Sequence, residues 1–247
     1  MAFLEKLFGK AADLPVDVSA LLGRARELND DDLGICLLSP KGAVEATRRM
    51  REIPVVETLG LVILTDAGDS NPHALITRGP ATGYVVYFSH DPEPEIHFTD
   101  LRSFAQALEQ AKAEAIWLDE MPRQPVEPLA DPAALESLTA LAEQAEPELE
   151  EETEFLLCLY LPLVPLDQLP VLERLASHDS FYVREAAARH LSRESWGRPD
   201  GDPVYAGYGP AHLALAEKLA RDTHPQVARP GRAALKLIRR AVGGGKE

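Results

Sequence analysis

The sequence has few cysteines, few aromatic residues and no long apolar run, and these shortages exclude several classes of protein. Two cysteines, Cys36 and Cys158, are too few for the disulfide framework of a secreted domain, so we expect a reducing cytoplasmic location. No segment reaches the roughly 18 uninterrupted apolar residues that span a bilayer, and we expect neither a secretion signal nor membrane binding. Aromatic residues make up 6% of the chain, but hydrophobic residues make up 45%, which is typical of a folded protein.

Basic residues are also scarce relative to acidic ones. The chain has 25 lysines and arginines against 40 aspartates and glutamates, a net charge of −15, and phosphate backbones repel such a protein. We therefore expect no nucleic-acid partner. The balance varies along the chain, because residues 120–167 hold 12 acidic residues and one basic residue, whereas residues 168–247 have a net charge of +4. The acidic stretch 146–154 fits either a solvated helix start or a surface for a basic partner.

A proline-rich segment divides the chain into two predicted domains. Pro122, Pro125 and Pro128 lie in a stretch without apolar periodicity, which is typical of a linker. We predict an α+β domain over residues 1–118, a linker over 119–131 and an all-α domain of helical repeats over 132–247.

The first domain combines helical and strand patterns. A stripe at 3.6-residue spacing predicts a helix from residue 18 to 28, and Ser39 before Pro40 predicts the capped start of a second helix ending near residue 52. Short β-branched and aromatic runs then predict an antiparallel meander, with its strands at residues 59–65, 74–77, 83–89 and 95–98. Thr99 or Asp100 is then predicted to cap a helix whose apolar face is suited to covering this sheet.

The second domain contains an internal repeat. Residues 175–191 align with residues 219–235, so that leucine, valine and leucine recur at eight-residue intervals, and residues 141–157 fit the same pattern more weakly. Each unit is predicted to be the end of one helix, a tight turn and a second helix. Val183 and Val227 are predicted to be buried, and Arg184 is placed to bridge to a neighbouring turn.

No catalytic motif is present. The chain lacks a Gly-x-Ser-x-Gly elbow and a phosphate-binding loop, and none of its seven histidines has zinc-site spacing. His90, Asp91 and His97 lie on neighbouring predicted strands and could converge on a metal ion. A hairpin with polar residues at its turn gives the same pattern. We predict no catalytic residue, no metal site, no cofactor and no enzyme activity.

Two groups of residues are candidates for contacting a protein partner. The first group consists of carboxylates at the loop ends of the meander, where acid–base chemistry and simple loop solvation are the alternatives: Asp66, Asp69, Asp91 and Glu93. The second group is Tyr205 and Tyr208, in a Pro- and Gly-rich insert. These tyrosines fit either exposed anchors for a partner or packing of the insert back onto the repeats.

The first domain resembles the SUKH superfamily, which includes a yeast cell-wall assembly regulator and many bacterial immunity proteins. The resemblance covers residues 1–116. It depends on Leu14-Pro15, the strand ending at residues 65–69, the strands at 74–76 and 83–91, and the closing Ser103-Phe104-x-x-x-Leu108 helix. The chain departs from the family pattern after the first helix. It lacks a clear Asn-Gly motif there and has Asn-Asp-Asp-Asp at residues 29–32 instead.

The repeats of the second domain resemble HEAT repeats. The match is best at Leu175-Ala176, Asp179, Val183-Arg184 and Ala187-Ala188. Together the two resemblances imply a non-catalytic protein-interaction module. Its most concrete form is an immunity protein that binds and neutralises a basic toxin such as a nuclease, with electrostatic steering from the acidic chain. The alternative is a cytoplasmic regulatory scaffold that binds a protein through its SUKH and HEAT surfaces, without a toxin partner.

Overall fold

The computed structural model describes residues 14–66, 71–88, 94–121, 126–143, 150–192 and 205–243. The chain divides into two compact units, with the boundary between Val126 and Glu127 inside the predicted linker. Each unit contains one of the two cysteines, and both are thiols. Among the described helices, none combines the length and apolar character needed to cross a membrane.

Four short helices begin the described part of the first unit. They are α1 (Val16–Gly23), α2 (Ala25–Leu28), α3 (Pro40–Met50) and α4 (Pro54–Thr58). The predicted apolar stripe is buried, since Val18, Leu22 and Leu28 are at most 3% exposed. Ser39 caps α3 as predicted, because its hydroxyl accepts from the Gly42 amide at 3.1 Å and Pro40 opens the helix.

The predicted antiparallel sheet is confirmed, with four strands in sequence order. They are β1 (Val62–Ile63), β2 (His73–Leu75), β3 (Val85–Tyr87) and β4 (Glu95–Phe98). β1 is shorter than the predicted strand over 59–65. The reason is local, since the Leu61 amide donates back to Val56 in α4 and Thr65 pairs instead with Leu37 through an isolated bridge.

Helix α5 (Leu101–Glu114) covers the sheet as predicted. The Asp100 carboxylate accepts from the Ser103 amide at 2.7 Å, and the Ser103 hydroxyl is 3.2 Å from the Asp100 amide, which forms a capping box. Phe104 and Leu108 are fully buried in a core that also receives α1, α2 and strands β2 and β3. A 3₁₀ turn, Leu118–Glu120, follows α5.

The described residues of the second unit form helices and contain no strand. The helices are α6 (Pro132–Glu143), α7 (Glu150–Tyr160), α8 (Leu169–Leu175), α9 (Phe181–Ser192), α10 (Pro210–Ala220) and α11 (Pro225–Gly243). α11 packs closely on both α9 and α10. Val183 and Val227 are fully buried at the starts of α9 and α11, which confirms the predicted burial.

Arg184 links the turns of successive helix pairs. Its guanidinium donates to both carboxylate oxygens of Asp222, at 2.8 and 3.3 Å, and to the carbonyls of His178 and Asp179 in its own turn. Asp222 also accepts from the His224 amide at 2.8 Å. These hydrogen bonds hold the pKa of the Asp222 carboxyl below its ordinary value, with the Arg184 bond as the main cause. The turn-to-turn bridge expected of Arg184 is therefore present.

Candidate functional site

A cleft of about 250 Å³ lies in the first unit and is the candidate functional site. We call it the Trp117 cleft. It is formed by the segment before α3, the ends of β1, β2 and β3, and the chain that follows α5. The described residues that line it are Asp31, Leu33, Gly34, Cys36, Thr65, Asn71, His73, Tyr87, Trp117 and Leu118.

One wall of the cleft is a tight turn, residues 30–34, which we call the acidic loop. The backbones of Asp30 and Ile35 donate to each other at 3.0 Å and close the loop. The Asn29 side chain then fixes the loop to the chain beyond it, because its amide donates to the Leu37 carbonyl and its oxygen accepts from the Leu37 amide, both at 2.8 Å. Asp31 and Asp32 are exposed on this rigid turn.

Trp117 also lines the cleft and is half exposed, at 50%. Helix α5 ends where Ala115 adopts a left-handed conformation, φ 53°, and this reversal carries the chain to Trp117. The indole lies against Gly34, which itself has φ 67°. A Cβ at Gly34 would lie 3.2 Å from the ring, so glycine provides both the backbone conformation and the space.

The buried end of the cleft is held by the sheet. His73 and Thr65 are both 5% exposed, and the Thr65 hydroxyl oxygen accepts from the His73 amide at 2.8 Å. The His73 ring packs among aromatic rings, with centroids 5.1 Å from Tyr87 and 5.2 Å from Phe104. This packing gives the cleft a fixed aromatic base.

The structure brings one predicted carboxylate close to the cleft. Asp66 is exposed and follows Thr65, and its amide donates to the Cys36 carbonyl at 3.0 Å. Cys36 lines the cleft and is the second residue after the acidic loop, so Asp66 lies close to that loop. The other three predicted carboxylates, Asp69, Asp91 and Glu93, lie outside the described residues.

For Tyr208 the structure supports the second of the two alternatives, packing of the insert back onto the repeats. Tyr208 is 8% exposed and its hydroxyl donates to the Leu191 carbonyl at 2.7 Å, so the insert packs back onto α9 at this point. Its ring also makes edge contacts with Tyr205 and His212, at 5.2 and 5.4 Å. Tyr205 is half-buried in the same cluster. A buried phenol needs a hydrogen-bond acceptor, and the end of α9 supplies one.

Metal-binding geometry is not found among the described residues, in which no three histidine, cysteine or acidic side chains converge. Of the three residues on neighbouring predicted strands that were considered for a metal, His90 and Asp91 lie outside the described residues. His97 stacks on Tyr87 with a centroid distance of 5.0 Å and an interplanar angle of 11°. Its Nε2 lies 3.7 Å from a Glu95 carboxylate oxygen.

Sequence reasoning missed Asp31, Asp32 and Trp117 as site residues. Three consecutive aspartates before a glycine, and a tryptophan just after an amphipathic helix, were the available signals. Neither signal shows that the two segments meet, because the contact between Trp117 and Gly34 joins residues more than 80 positions apart.

The sequence of the first unit has a net negative charge. Residues 1–119 contain 19 acidic and 11 basic residues, a net charge of −8. Several of the basic residues pair elsewhere, since Arg24 binds Glu27 and Glu109, and Arg78 binds Glu57. The side chains of Asp31 and Asp32 have no ion-pair partner among the described residues. Their charge is therefore available to a molecule in solution.

A second charged surface lies on the last helix of the second unit. Exposed basic side chains recur at a helical spacing along α11, which places them along one side of the helix, and we call this row the basic face: Arg229, Arg232, Lys236, Arg239 and Arg240. Of these, Arg239 pairs with Glu217 at 3.0 Å.

Comparisons with protein-family models, curated proteins and solved structures found no match to the chain.

Proposed function

We propose that the chain is a non-catalytic protein-interaction module that binds a basic protein through the Trp117 cleft and the carboxylates beside it. The observation that carries the proposal is the half-exposed Trp117 ring, which lines one cleft together with Asp31, while exposed Asp32 is the next residue of the chain. In its most concrete form, the protein is a cytoplasmic immunity protein that binds and neutralises a toxin such as a nuclease.

An exposed tryptophan beside carboxylates supports binding for two reasons. Tryptophan is among the residues that most often dominate interface energetics, because it buries a large rigid surface. Carboxylates around such an anchor accelerate association with a basic protein and select against acidic ones. The described lining offers little for catalysis, since Asp31 is its one carboxylate and the His73 ring is packed among other rings.

The toxin-binding form depends on the SUKH resemblance. A meander in sequence order, covered by α5, supports a SUKH-like first unit, and the α8–α9 and α10–α11 pairs joined by Arg184 support HEAT-like repeats in the second. A nuclease presents a basic surface to its substrate, so a protein that covers this surface with carboxylates would block it.

The proposal is tested by comparing the full chain with the variant Asp31→Lys/Asp32→Lys as bait in native lysate. Glu52→Lys is the matched control, because Glu52 is exposed in the same unit and does not line the cleft. We expect a basic protein that the wild type and the control retain and the double variant loses. That protein is then expressed alone and together with this chain in a host cell.

Growth arrest by the captured protein, relieved by the wild type but not by the double variant, would support neutralisation. Equal retention by all three baits, or retention of an acidic protein, would contradict binding through the acidic loop. In either case thermal melting should show that all three baits are folded.

The second candidate function is a regulatory scaffold, and the basic face of α11 favours it. An immunity protein that blocks one toxin needs one surface, whereas this chain carries a second surface of opposite charge. The test is Arg232→Glu/Lys236→Glu in the same capture experiment. Loss of a second, acidic protein, together with harmless expression of every captured protein, would favour the scaffold over the immunity protein.

A further inference from the structure

We propose that the Trp117 cleft receives a single arginine side chain of the partner. The inference rests on the proposed function in one respect, namely that the partner is a basic protein. It adds the identity of the group that is recognised and the residues that select it, which are Trp117 and Asp31.

The size of the cleft favours one side chain over a whole ligand. Sites that enclose small molecules have volumes of about 300–1,000 Å³. The Trp117 cleft has about 250 Å³ and opens beside a half-exposed ring, so it suits a long side chain that enters from the surface. A cofactor-sized molecule would not be enclosed.

The chemistry of the lining favours a cation. Asp31 contributes a carboxylate, Trp117 and Tyr87 contribute aromatic surface, and the described lining contains neither lysine nor arginine. Indole is the strongest aromatic partner of a cation, and a cation that also reaches a carboxylate gains a charge-assisted hydrogen bond. An anionic group would instead be repelled by Asp31 and by Asp32 beside it.

Arginine fits these residues better than lysine. The guanidinium is planar and weakly hydrated, so it can stack on an indole while its edge donates two hydrogen bonds to one carboxylate. The ammonium of lysine is compact and strongly hydrated, and it loses more solvation on entering a cleft. An indole and a carboxylate that line the same cleft therefore select for guanidinium.

The backbone that carries both groups is held in place before any partner arrives. The Asn29 side chain bonds to the N–H and the carbonyl of Leu37, and Gly34 lies against the indole. A backbone that needs no ordering on binding loses little conformational entropy, which raises affinity. The cleft is thus preorganised for the side chain that we assign to it.

The test uses the full chain and three blocked tripeptides, Gly-Arg-Gly, Gly-Lys-Gly and Gly-citrulline-Gly. Trp196→Phe leaves Trp117 as the one tryptophan of the chain, so its fluorescence reports on the cleft. We expect saturable binding of the arginine peptide, at least roughly threefold weaker binding of the lysine peptide, and weaker binding still of the uncharged citrulline peptide.

Variants identify the contributing residues by calorimetry. Asp31→Asn and Trp117→Leu should each weaken binding of the arginine peptide by roughly threefold to tenfold, whereas Glu52→Gln should leave it unchanged. Asp31→Asn alters an exposed residue, and an unchanged melting temperature of this variant would show that a loss of binding does not reflect misfolding. Equal affinity for all three peptides, or insensitivity to both variants, would overturn the arginine assignment.

The outcome separates this inference from the proposed function. If the peptides do not bind but the basic partner is still lost by Asp31→Lys/Asp32→Lys, the proposed function stands and the arginine assignment is wrong. If the arginine peptide binds as expected and no basic protein is retained, the cleft is a guanidinium site and the proposed function is wrong.

Discussion

Replacing Asp222 by asparagine should destabilise the second unit through the loss of one charge. The substitution keeps the shape of the side chain and an oxygen for the His224 amide. It removes the negative charge that faces Arg184 at 2.8 Å. Arg184 would keep its bonds to the carbonyls of His178 and Asp179 but would lack a counter-ion.

The expected loss is about 2–4 kcal/mol in the free energy of unfolding. The two side chains are 18% and 13% exposed, so the pair is neither a surface bridge worth below about 1 kcal/mol nor a fully buried pair. Hydrogen bonds to charged groups contribute about 1.5–3 kcal/mol each, and a guanidinium left without its partner adds a desolvation penalty. Arg189→Met, which breaks the more exposed pair with Glu185, is the control and should cost about 0.5 kcal/mol.

The difference between wild type and Asp222→Asn should depend on pH. The folded pKa of Asp222 is lowered, so the carboxylate stabilises the fold above its unfolded pKa of about 3.9. As the pH falls through the lower folded pKa, both states become protonated and this contribution is lost. The difference should be constant near neutral pH and shrink below about pH 4.

Urea unfolding followed by circular dichroism measures these quantities at pH 7 and pH 3. A double-mutant cycle with Arg184→Met should give a coupling energy of about 1.5–3 kcal/mol. A loss no larger than that of the Arg189 control, or a difference that grows as the pH falls, would refute the assignment of Arg184 and Asp222 as a stabilising pair.

Three further predictions concern packing and organisation. Val183→Asp or Val227→Asp should lower the free energy of unfolding by on the order of 3 kcal/mol or more, because an unpaired charge would enter the core. An unchanged melting temperature would contradict the repeat alignment. Gly231→Ala should cost about 1–3 kcal/mol, because its Cβ would lie 2.5 Å from the Leu219 carbonyl carbon, whereas the same change at exposed Gly243 should be neutral. Polypeptides 1–121 and 129–247 should each fold alone and give α+β and nearly all-helical circular dichroism respectively, and a strand signal in the second would count against helical repeats.

Local signals in the sequence predicted where two helices of the first unit begin. Ser39 and Asp100 cap helices because their side-chain oxygens reach amides only three residues away, so the relevant geometry lies within the motif. The same holds for Val183 and Val227, whose burial follows from helical periodicity. The antiparallel order of the strands was also predictable, since the segments between them are too short for the crossover that parallel neighbours need.

The candidate site was less predictable because distant segments build it. The bridge between Leu37 and Thr65 brings Asp66 to the acidic loop, and no local pattern encodes that pairing. Trp117 reaches Gly34 because Ala115 ends α5 with a left-handed conformation, which alanine rarely adopts and the sequence does not signal. The sequence left two alternatives open for Tyr208, because an aromatic residue in a loop looks the same whether it anchors a partner or packs on its own helices.

Contacts in and beside the acidic loop determine which of its residues can change during evolution. Asn29 uses both its donor and its acceptor on the backbone of one residue, Leu37, so aspartate would lose the donor and glutamine would be one carbon too long. Gly34 is restricted by its φ and by the indole. No contact of this kind is described for the exposed side chains of Asp31 and Asp32. Natural relatives should therefore keep Asn29 and Gly34 while residues 31 and 32 change with the molecule that each relative recognises, so that one scaffold can acquire new specificities without refolding.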